Sequence, residues 1–142
     1  MASPLEIREG IASVLRGVPG LTVVTVQPET VPATLPAVIV TPAFASFSEI
    51  QAGRGQDVWE WDLLVLTSGA DSGVGQSELD EMLTADGPRS IRAAIRATPD
   101  LRLGPRTTAW VDRLEDYGPR SSGGEYTRLM GATLRLIVRT SG

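Results

Sequence analysis

Hydrophobic residues recur at helical spacing at the start of the chain and at strand spacing further along it. An apolar stripe with gaps of three and four residues is formed by Ile7, Ile11, Val14, Leu15 and Val18. Ser3, Pro4 and Glu6 precede the stripe in the order of a helix capping box, and Gly17 and Pro19 follow it. This pattern predicts a helix whose apolar side faces a core and which ends near Gly17.

The most regular alternation lies in Gln56–Thr67, where hydrophobic and polar residues follow a period of two. One face of this predicted strand is apolar and consists of Trp59, Trp61, Leu63 and Val65. The other face is charged in its first half, at Glu60 and Asp62, and apolar in its second half. We therefore expect the second half to be covered on both sides, by this chain or by a neighbouring subunit.

Shorter patterns complete a predicted element order α-β-β-β-α-α-β-β. The further elements are strands over Leu21–Gln27 and Ala37–Thr41, helices over Gln76–Leu83 and Pro88–Ala97, and strands over Thr107–Tyr117 and Tyr126–Arg139. The apolar residues of Thr107–Tyr117 keep no single parity, which leaves its register open and is compatible with a β-bulge. Gly131, in mid-strand, predicts a close backbone approach or a bulge. These elements predict an α+β fold with one mostly antiparallel sheet and the helices packed on one face.

Two connections are predicted to be loops, Ala43–Gly55 and Gly118–Gly124. Loops of about a dozen residues are uncommon in compact domains, and they are usually either functional or disordered. The first loop contains Phe44 and Phe47. These two side chains favour either docking onto a partner or packing back onto the protein's own core.

The composition fits a single globular domain, 1–142, and excludes several kinds of active site. The 142 residues are 42% hydrophobic and 21% charged, with a net charge of −4. There is no cysteine, histidine, lysine or asparagine, and all 13 positive charges are arginine. This excludes a disulfide framework, a histidine metal site, a Schiff-base lysine and a Ser-His-Asp triad. The negative balance disfavours a general nucleic-acid binder, because such proteins depend on excess positive charge.

The sequence offers no pattern expected of an exported or membrane-spanning chain. Its first residues form neither a basic segment nor an apolar one of the kind found in signal peptides. The longest aliphatic runs, 37–40 and 63–66, are four residues long, whereas a membrane span needs about 20. We expect the protein to stay in a cytoplasm or in a particle assembled there.

The glycine-rich stretch Gly69–Gly75 lies between a predicted strand and a predicted helix, where a phosphate-binding loop would lie. It lacks the Gly-Lys-Ser/Thr ending, which favours a plain connection. Carboxylates near the start of the next helix, Glu78, Asp80 and Glu81, are typical of a solvated helix face. Glu115-Asp116 converge poorly on a metal, because adjacent strand residues point to opposite faces.

Two groups of charged residues are the candidates for recognition. Arg89, Arg92 and Arg96 are predicted to share one helical face and form the best anion-binding patch of the chain. A solvated face and ion pairs with a neighbouring subunit remain open as alternatives. Glu60 and Asp62 are predicted to line a hydrated, acidic surface. If such a surface surrounded DNA, it would limit nonspecific binding of the DNA to the protein.

A series of turn and packing motifs runs through most of the chain. It comprises Pro36-Ala37-Val38-Ile39-Val40, Leu64-Val65-Leu66, Gln76-x-x-Leu79-Asp80, Gly87-Pro88-x-Ser90-Ile91-x-Ala93-Ala94-Ile95, Pro99-Asp100-Leu101, and Tyr117-Gly118 before a glycine-containing tip and Tyr126. This series resembles the tail terminator proteins of long-tailed, siphovirus-type phages, especially those infecting actinobacteria. One departure follows Leu101, where a Gly-Gly pair is expected and Arg102-Leu103-Gly104 stands instead. The departure leaves the conformation of that connector open.

The resemblance implies a small structural subunit, not an enzyme, with no cofactor, metal or catalytic residue. Six copies would form a ring that caps the tail tube, stops its polymerisation and presents a surface to the head–tail connector or stopper protein. DNA would pass through the ring without specific binding, and no membrane would be involved. The protein would be found at the head-proximal end of the tail in the virion, and in the host cytoplasm during assembly. The residues expected at its interfaces are Phe44, Phe47, Arg54, Glu60, Asp62, Arg89, Arg92, Arg96, Arg120 and Arg135.

Two alternative functions remain open from the sequence. The first is another neck protein of the same particles, such as a head–tail stopper. The second is a small ligand-binding or enzymatic α+β domain that uses arginines and carboxylates. The second is disfavoured because no convergent cluster of polar residues is recognisable in the sequence.

Overall fold

The computed structural model describes residues 1–26, 34–47, 55–69, 72–121 and 128–141. Within these ranges the chain forms three helices and five strands in the predicted order. They are α1 (Pro4–Leu15), β1 (Thr22–Val24), β2 (Ala37–Phe47), β3 (Gln56–Ser68), α2 (Ser72–Leu83), α3 (Ile91–Ala97), β4 (Thr107–Ser121) and β5 (Arg128–Ser141). The predicted α+β class, with a mostly antiparallel sheet, is confirmed.

The strands lie side by side in the order β1-β2-β3-β5-β4. Within the described part of the chain, β1 and β2 are parallel and the other neighbours are antiparallel. β1 is only three residues long, shorter than the predicted Leu21–Gln27, and Gln27 lies outside the described residues. It pairs with Ala37–Ile39 alone, so Thr41–Phe47 of β2 forms one edge of the described sheet. β4 forms the opposite edge.

The main core lies between one face of the sheet, here called the inner face, and the helices. Trp61, Leu63 and Val65 of β3 are fully buried there, beside Leu134 and Leu136 of β5. These residues occupy alternate positions, as the period-two pattern predicts. The apolar stripe of α1 packs into the same cluster. Hydrophobic burial along these two central strands therefore holds the helices on the inner face.

A smaller apolar cluster covers part of the opposite, outer face of the sheet. It contains Ile39, Leu66 and Leu129, with Leu64 partly buried beside them. The expectation that the second half of β3 is covered on both sides is therefore confirmed. The cover comes from this chain.

β2 continues to Phe47, although the strand was predicted to end at Thr41. The pairing shifts register between Pro42 and Phe44, which is a bulge. The extra residue is Ala43, and Pro42 is tolerated because this part of β2 is an edge of the described sheet, where a missing N–H need not break a ladder. The predicted loop Ala43–Gly55 is therefore wrong over 43–47, and 48–54 lie outside the described residues.

α2 begins at Ser72, four residues before the predicted start at Gln76. Its first turns lie directly against the end of β3, because a Cβ atom at Gly75 would overlap the carbonyl oxygen of Ser68. The buried hydroxyl of Thr67 donates a hydrogen bond to the Gly75 carbonyl at 2.8 Å. The start of α2 is therefore packed against the end of β3, which supports the interpretation of the glycine-rich stretch as a plain connection.

α3 begins at Ile91, three residues after the predicted start at Pro88. The Ser90 side chain accepts a hydrogen bond from the Ala93 backbone N–H at 3.0 Å and caps the helix. An N-cap residue has extended backbone angles, so the helix begins after it. Arg89 consequently lies outside α3, and the prediction that it shares one helical face with the other two arginines is wrong.

β4 is longer than predicted and has two interruptions. The register shifts between Val111 and Arg113 and again between Glu115 and Gly118, so the bulge considered from the sequence is confirmed. The strand runs on to Ser121, so the predicted tip Gly118–Gly124 is wrong at its start, and 122–127 lie outside the described residues. Each bulge reverses the side-chain parity, which explains why the apolar pattern of this strand has no single period.

The connector after α3 adopts a left-handed backbone at two residues, and the second of them, Arg102, stands where the resemblance led us to expect a glycine pair to begin. Leu101 has φ 52° and Arg102 has φ 60°, values that L residues seldom adopt. Full burial of Leu101 offsets this strain. The Arg102 backbone N–H donates to Asp100 at 2.9 Å, and its guanidinium donates to Ser13 at 2.6 Å. Side-chain contacts thus hold a conformation that glycines would adopt freely.

The N-terminal capping box yields a prediction about acid stability. The Ser3 hydroxyl accepts from the Glu6 backbone N–H at 3.2 Å, and the Glu6 carboxylate accepts from the Ser3 N–H at 3.0 Å. These hydrogen bonds lower the pKa of Glu6. A lowered pKa in the folded state means that this contribution is present above the ordinary pKa of a glutamate. It is lost as the pH falls through the lowered value.

We expect Ser3→Ala to lower the free energy of unfolding at neutral pH by about 1 kcal/mol, the usual effect of losing a cap. The Glu6 carboxyl pKa should rise at the same time. Thermal unfolding at neutral and acidic pH measures the first effect, and an NMR titration of the carboxyl measures the second. Glu9→Gln, an exposed change on the same helix, serves as the control. An unchanged Glu6 titration in Ser3→Ala would contradict the assignment.

Candidate interaction surfaces

The outer face of the sheet brings three of the predicted interface residues together. Arg135 of β5 lies opposite Asp62 of β3 in the register. Its Nε atom is 2.8 Å from the Asp62 carboxylate, and its Nη1 atom is 3.6 Å from the Glu60 carboxylate. The Arg135 side chain is only 16% exposed. The carboxylates predicted to line an acidic surface are therefore ion-paired, and this row carries one net negative charge.

The charged row continues onto β4. Arg113 lies opposite Arg135 in the register and forms an ion pair with Glu115. Its hydrogen bond lowers the pKa of Glu115, and the same bond raises the pKa of Arg113. Both shifts stabilise the charged forms, so these groups are suited to pairing and not to proton transfer at neutral pH.

The three arginines predicted to form an anion-binding patch are in different situations. Arg89 pairs with Glu78 at 3.2 Å and with Glu81 at 3.3 Å, so these carboxylates are not simply a solvated face. Arg96 lies 2.9 Å from Asp86 and donates to the Ala85 carbonyl at 2.6 Å. Within the described ranges, Arg92 makes no hydrogen bond or ion pair. The structure thus leaves one free guanidinium where the sequence predicted three.

Arg92 lies at the rim of a cleft of about 380 Å³ between α3 and β4, here called the α3–β4 cleft. The cleft is lined by Arg92, Ile95, Arg96, Pro99, Ala109, Trp110 and Val111. Its floor is mainly apolar, since Ile95 and Ala109 are buried. Trp110 lies opposite Ile137, so its ring is on the outer face, where it is 37% exposed and lies 5.5 Å from the Arg139 guanidinium. The cleft was missed from the sequence because the open register of β4 gave no signal for it.

The free end of β2 and the start of β3 form a two-stranded segment, here called the arm (Thr41–Phe47 and Gln56–Asp62). Phe44 and Phe47 lie on opposite faces of the arm, as residues three apart in a strand do, and they are 57% and 51% exposed. Phe47 lies on the inner face, with its ring edge-on to Trp59 at 5.6 Å between centroids. Packing of the phenylalanines back onto the core is therefore incomplete. Both rings remain available for contact.

The remaining predicted interface residues have other positions. The Arg120 side chain lies across Gly131, where an added Cβ atom would be 2.6 Å from its Nε atom. Arg120 also donates to the Asp116 carbonyl at 2.8 Å. The group that closely approaches Gly131 is thus a side chain and not the backbone that was predicted, while the second bulge of β4 ends at its partner Gly118. Arg54 lies outside the described residues.

The structure was also searched for groups that carry catalytic or metal chemistry. The described residues include no group of three or more acidic, histidine or cysteine side chains placed to hold a metal. Asp80, in α2, accepts a hydrogen bond from the Tyr117 hydroxyl at 2.6 Å, and this bond raises the pKa of Tyr117. The longest described helices have 12 residues each, which is fewer than the roughly 20 that a bilayer crossing requires.

Comparison with known proteins adds no family assignment. No protein-family model matches the chain, and no curated protein matches it either.

Proposed function

We propose that this protein is a phage tail terminator, a structural subunit whose ring caps the tail tube and stops its polymerisation. The ring also presents the joining surface to the head–tail connector, and DNA passes through it. The proposal starts from the resemblance of the turn and packing motifs described above. Several of these motifs occupy structural positions in the fold, since Ile91, Ile95 and Leu101 are buried in the main core.

The observation that carries the proposal is the presence of two unlike surfaces at opposite edges of one sheet. A closed ring of identical subunits needs head-to-tail contacts, in which each subunit offers two different patches. The arm lies on the β2 side and exposes aromatic side chains. The α3–β4 cleft lies on the other side and is concave, apolar and rimmed by an arginine. A subunit of this shape can repeat laterally.

The distribution of charge supports a structural role over the enzymatic alternative. Arg135, Arg113, Arg89 and Arg96 each form an ion pair within the subunit. An active site needs titratable groups that converge on one point with a free position for a substrate. These four arginines instead have their charge engaged by carboxylates of the same subunit.

Electron microscopy of tails assembled with and without this protein tests the proposal. Without the protein we expect tubes of variable and excessive length that carry no heads. Adding the purified chain during assembly should restore a single length. Tubes of normal length in its absence would overturn the proposal. Normal-length tails that lack heads would indicate the stopper function instead.

A further inference from the structure

We propose that the arm of one copy docks into the α3–β4 cleft of the next copy. In this contact Phe47 enters the cleft and Asp57 pairs with Arg92. The inference rests on the proposed ring-forming function and specifies its subunit interface. Three independent features of the described residues support it: position, shape and charge.

The register places the two surfaces at the same height on opposite edges of the sheet. Phe47 lies opposite Asp57, Asp57 opposite Thr140, and Thr140 opposite Thr107. The end of the arm is therefore level with the beginning of β4, and the cleft lies two to four residues further along β4, at Ala109 to Val111. A second copy placed beside the first at this edge of the sheet can bring its arm to the cleft.

The shapes of the two surfaces also match. Phe47 is on the inner face of the arm, and the cleft lies between α3 and β4, on the side of the sheet that carries the helices. The cleft volume of about 380 Å³ is ample for a phenyl ring, since a cavity of about 150 Å³ holds benzene. Docking would remove from water both the exposed ring and the apolar floor of the cleft. Such burial is the usual source of affinity at the centre of an interface.

The charges are complementary. Asp57 shares the inner face of the arm with Phe47, because the two residues are direct cross-strand partners. Neither Asp57 nor Arg92 has an ion-pair partner within the described ranges. The other arginine of the cleft, Arg96, is already engaged with Asp86. Docking would therefore give each free charge an opposite partner at the edge of an apolar contact, where charge pairs favour one orientation over others.

Backbone pairing between the two sheet edges is a less suitable mode of contact. The Ala109 N–H, at the free edge of β4, already donates to the Pro99 carbonyl at 2.7 Å. The bulge between Pro42 and Phe44 interrupts the edge of the arm. A strand cannot add to edges whose donors are occupied or interrupted. The proposed contact therefore uses side chains, with Phe47 as its anchor.

Disulfide trapping gives a direct test, because the natural chain contains no cysteine. Asp57 is on β3, whereas Arg92 is on α3, which packs against β4. In the variant Asp57→Cys/Arg92→Cys, an internal disulfide would leave the chain at the size of a monomer on a non-reducing gel, so only a contact between copies gives larger species. Oxidation of the concentrated protein should therefore give covalent dimers and higher oligomers. Asp57→Cys/Arg16→Cys, with the second cysteine at the exposed end of α1, is the matched control and should remain uncrosslinked.

Charge exchange and truncation provide a second test, with self-association measured by sedimentation. Asp57→Arg or Arg92→Asp alone should weaken association about tenfold or more, and the double variant should recover most of it. Phe47→Ala should weaken association by a similar factor. Phe44→Ala is its control, because it removes an equally exposed ring from the opposite face of the same arm.

The outcomes separate this inference from the proposed function. The protein could form oligomers of defined size that give no cross-link, and Phe47→Ala and Phe44→Ala could weaken their association equally. That result would overturn the proposed interface without contradicting the formation of a ring. A chain that gives neither oligomers nor cross-links also overturns the interface. In that case the tail-length experiment decides the proposed function by itself.

Discussion

Replacing Trp61 with alanine is expected to lower the free energy of unfolding by about 3–5 kcal/mol, the range for removing a large aromatic side chain from a core. Trp61 is fully buried in the main cluster and lies 6.3 Å from the ring of Trp59. The Arg8 guanidinium lies 5.7 Å from the centre of its ring. The variant therefore loses burial, aromatic packing and a cation–π contact together.

The matched control is Trp110→Ala, because Trp110 is 37% exposed at the rim of the cleft. Its loss should reduce stability by only about 1 kcal/mol, mostly through the contact with Arg139. Chemical denaturation of both variants, with equal slopes, measures the difference. Equal losses in the two variants would show that Trp61 is not the centre of the core.

A second large effect is expected from Gly75→Ala. The added methyl group would overlap the carbonyl oxygen of Ser68. Both groups are attached directly to the backbone and cannot rotate away from each other, so α2 must move away from β3. Such overpacking lowers the free energy of unfolding by about 1–3 kcal/mol. The displaced helix also loses the buried hydrogen bond from the Thr67 hydroxyl, which lowers it by about 1–3 kcal/mol more. The usual gain in helix propensity from glycine to alanine is smaller than this loss.

Ser77→Ala is the control for this prediction, because Ser77 is exposed on the same helix. It should change stability by less than about 0.5 kcal/mol. Thermal unfolding of the two variants under the same conditions is the measurement. A Gly75→Ala protein as stable as Ser77→Ala would mean that α2 does not lie directly against β3.

The elements that were predictable from the sequence are those with local signals. The start of α1 follows from its capping box, and Ser3 and Glu6 make both expected hydrogen bonds. The two central strands, β3 and β5, are predictable from the period-two alternation of their residues. Burial alternates along each strand, so the pattern is visible within the strand's own sequence. The interrupted strands were not predictable to the same degree. Pro42 gives a signal for ending a strand, yet the strand continues past it because this part of β2 is an edge of the described sheet, where proline is tolerated.

The candidate surfaces depend on contacts that no local pattern encodes. Phe44 and Phe47 are three positions apart and therefore lie on opposite faces, but only the bulge between Pro42 and Phe44 decides which of them is on the inner face. The α3–β4 cleft combines residues from two elements whose relative position depends on the left-handed connector between them. Ion pairs such as Arg135 with Asp62 depend on the register of β3 against β5. The sequence shows which residues are charged, and the fold decides which of them remain free.

The construction of β4 also bears on how concentrated subunits avoid uncontrolled association. Long, flat and uncharged sheet edges are templates for cross-β fibrils. β4 is 15 residues long, but it has two bulges, it carries Pro119, and the Pro99 carbonyl occupies its donor at Ala109. These features make it a poor template for amyloid growth. Newly made chains can therefore accumulate to high concentration inside a cell without forming fibrils along this strand.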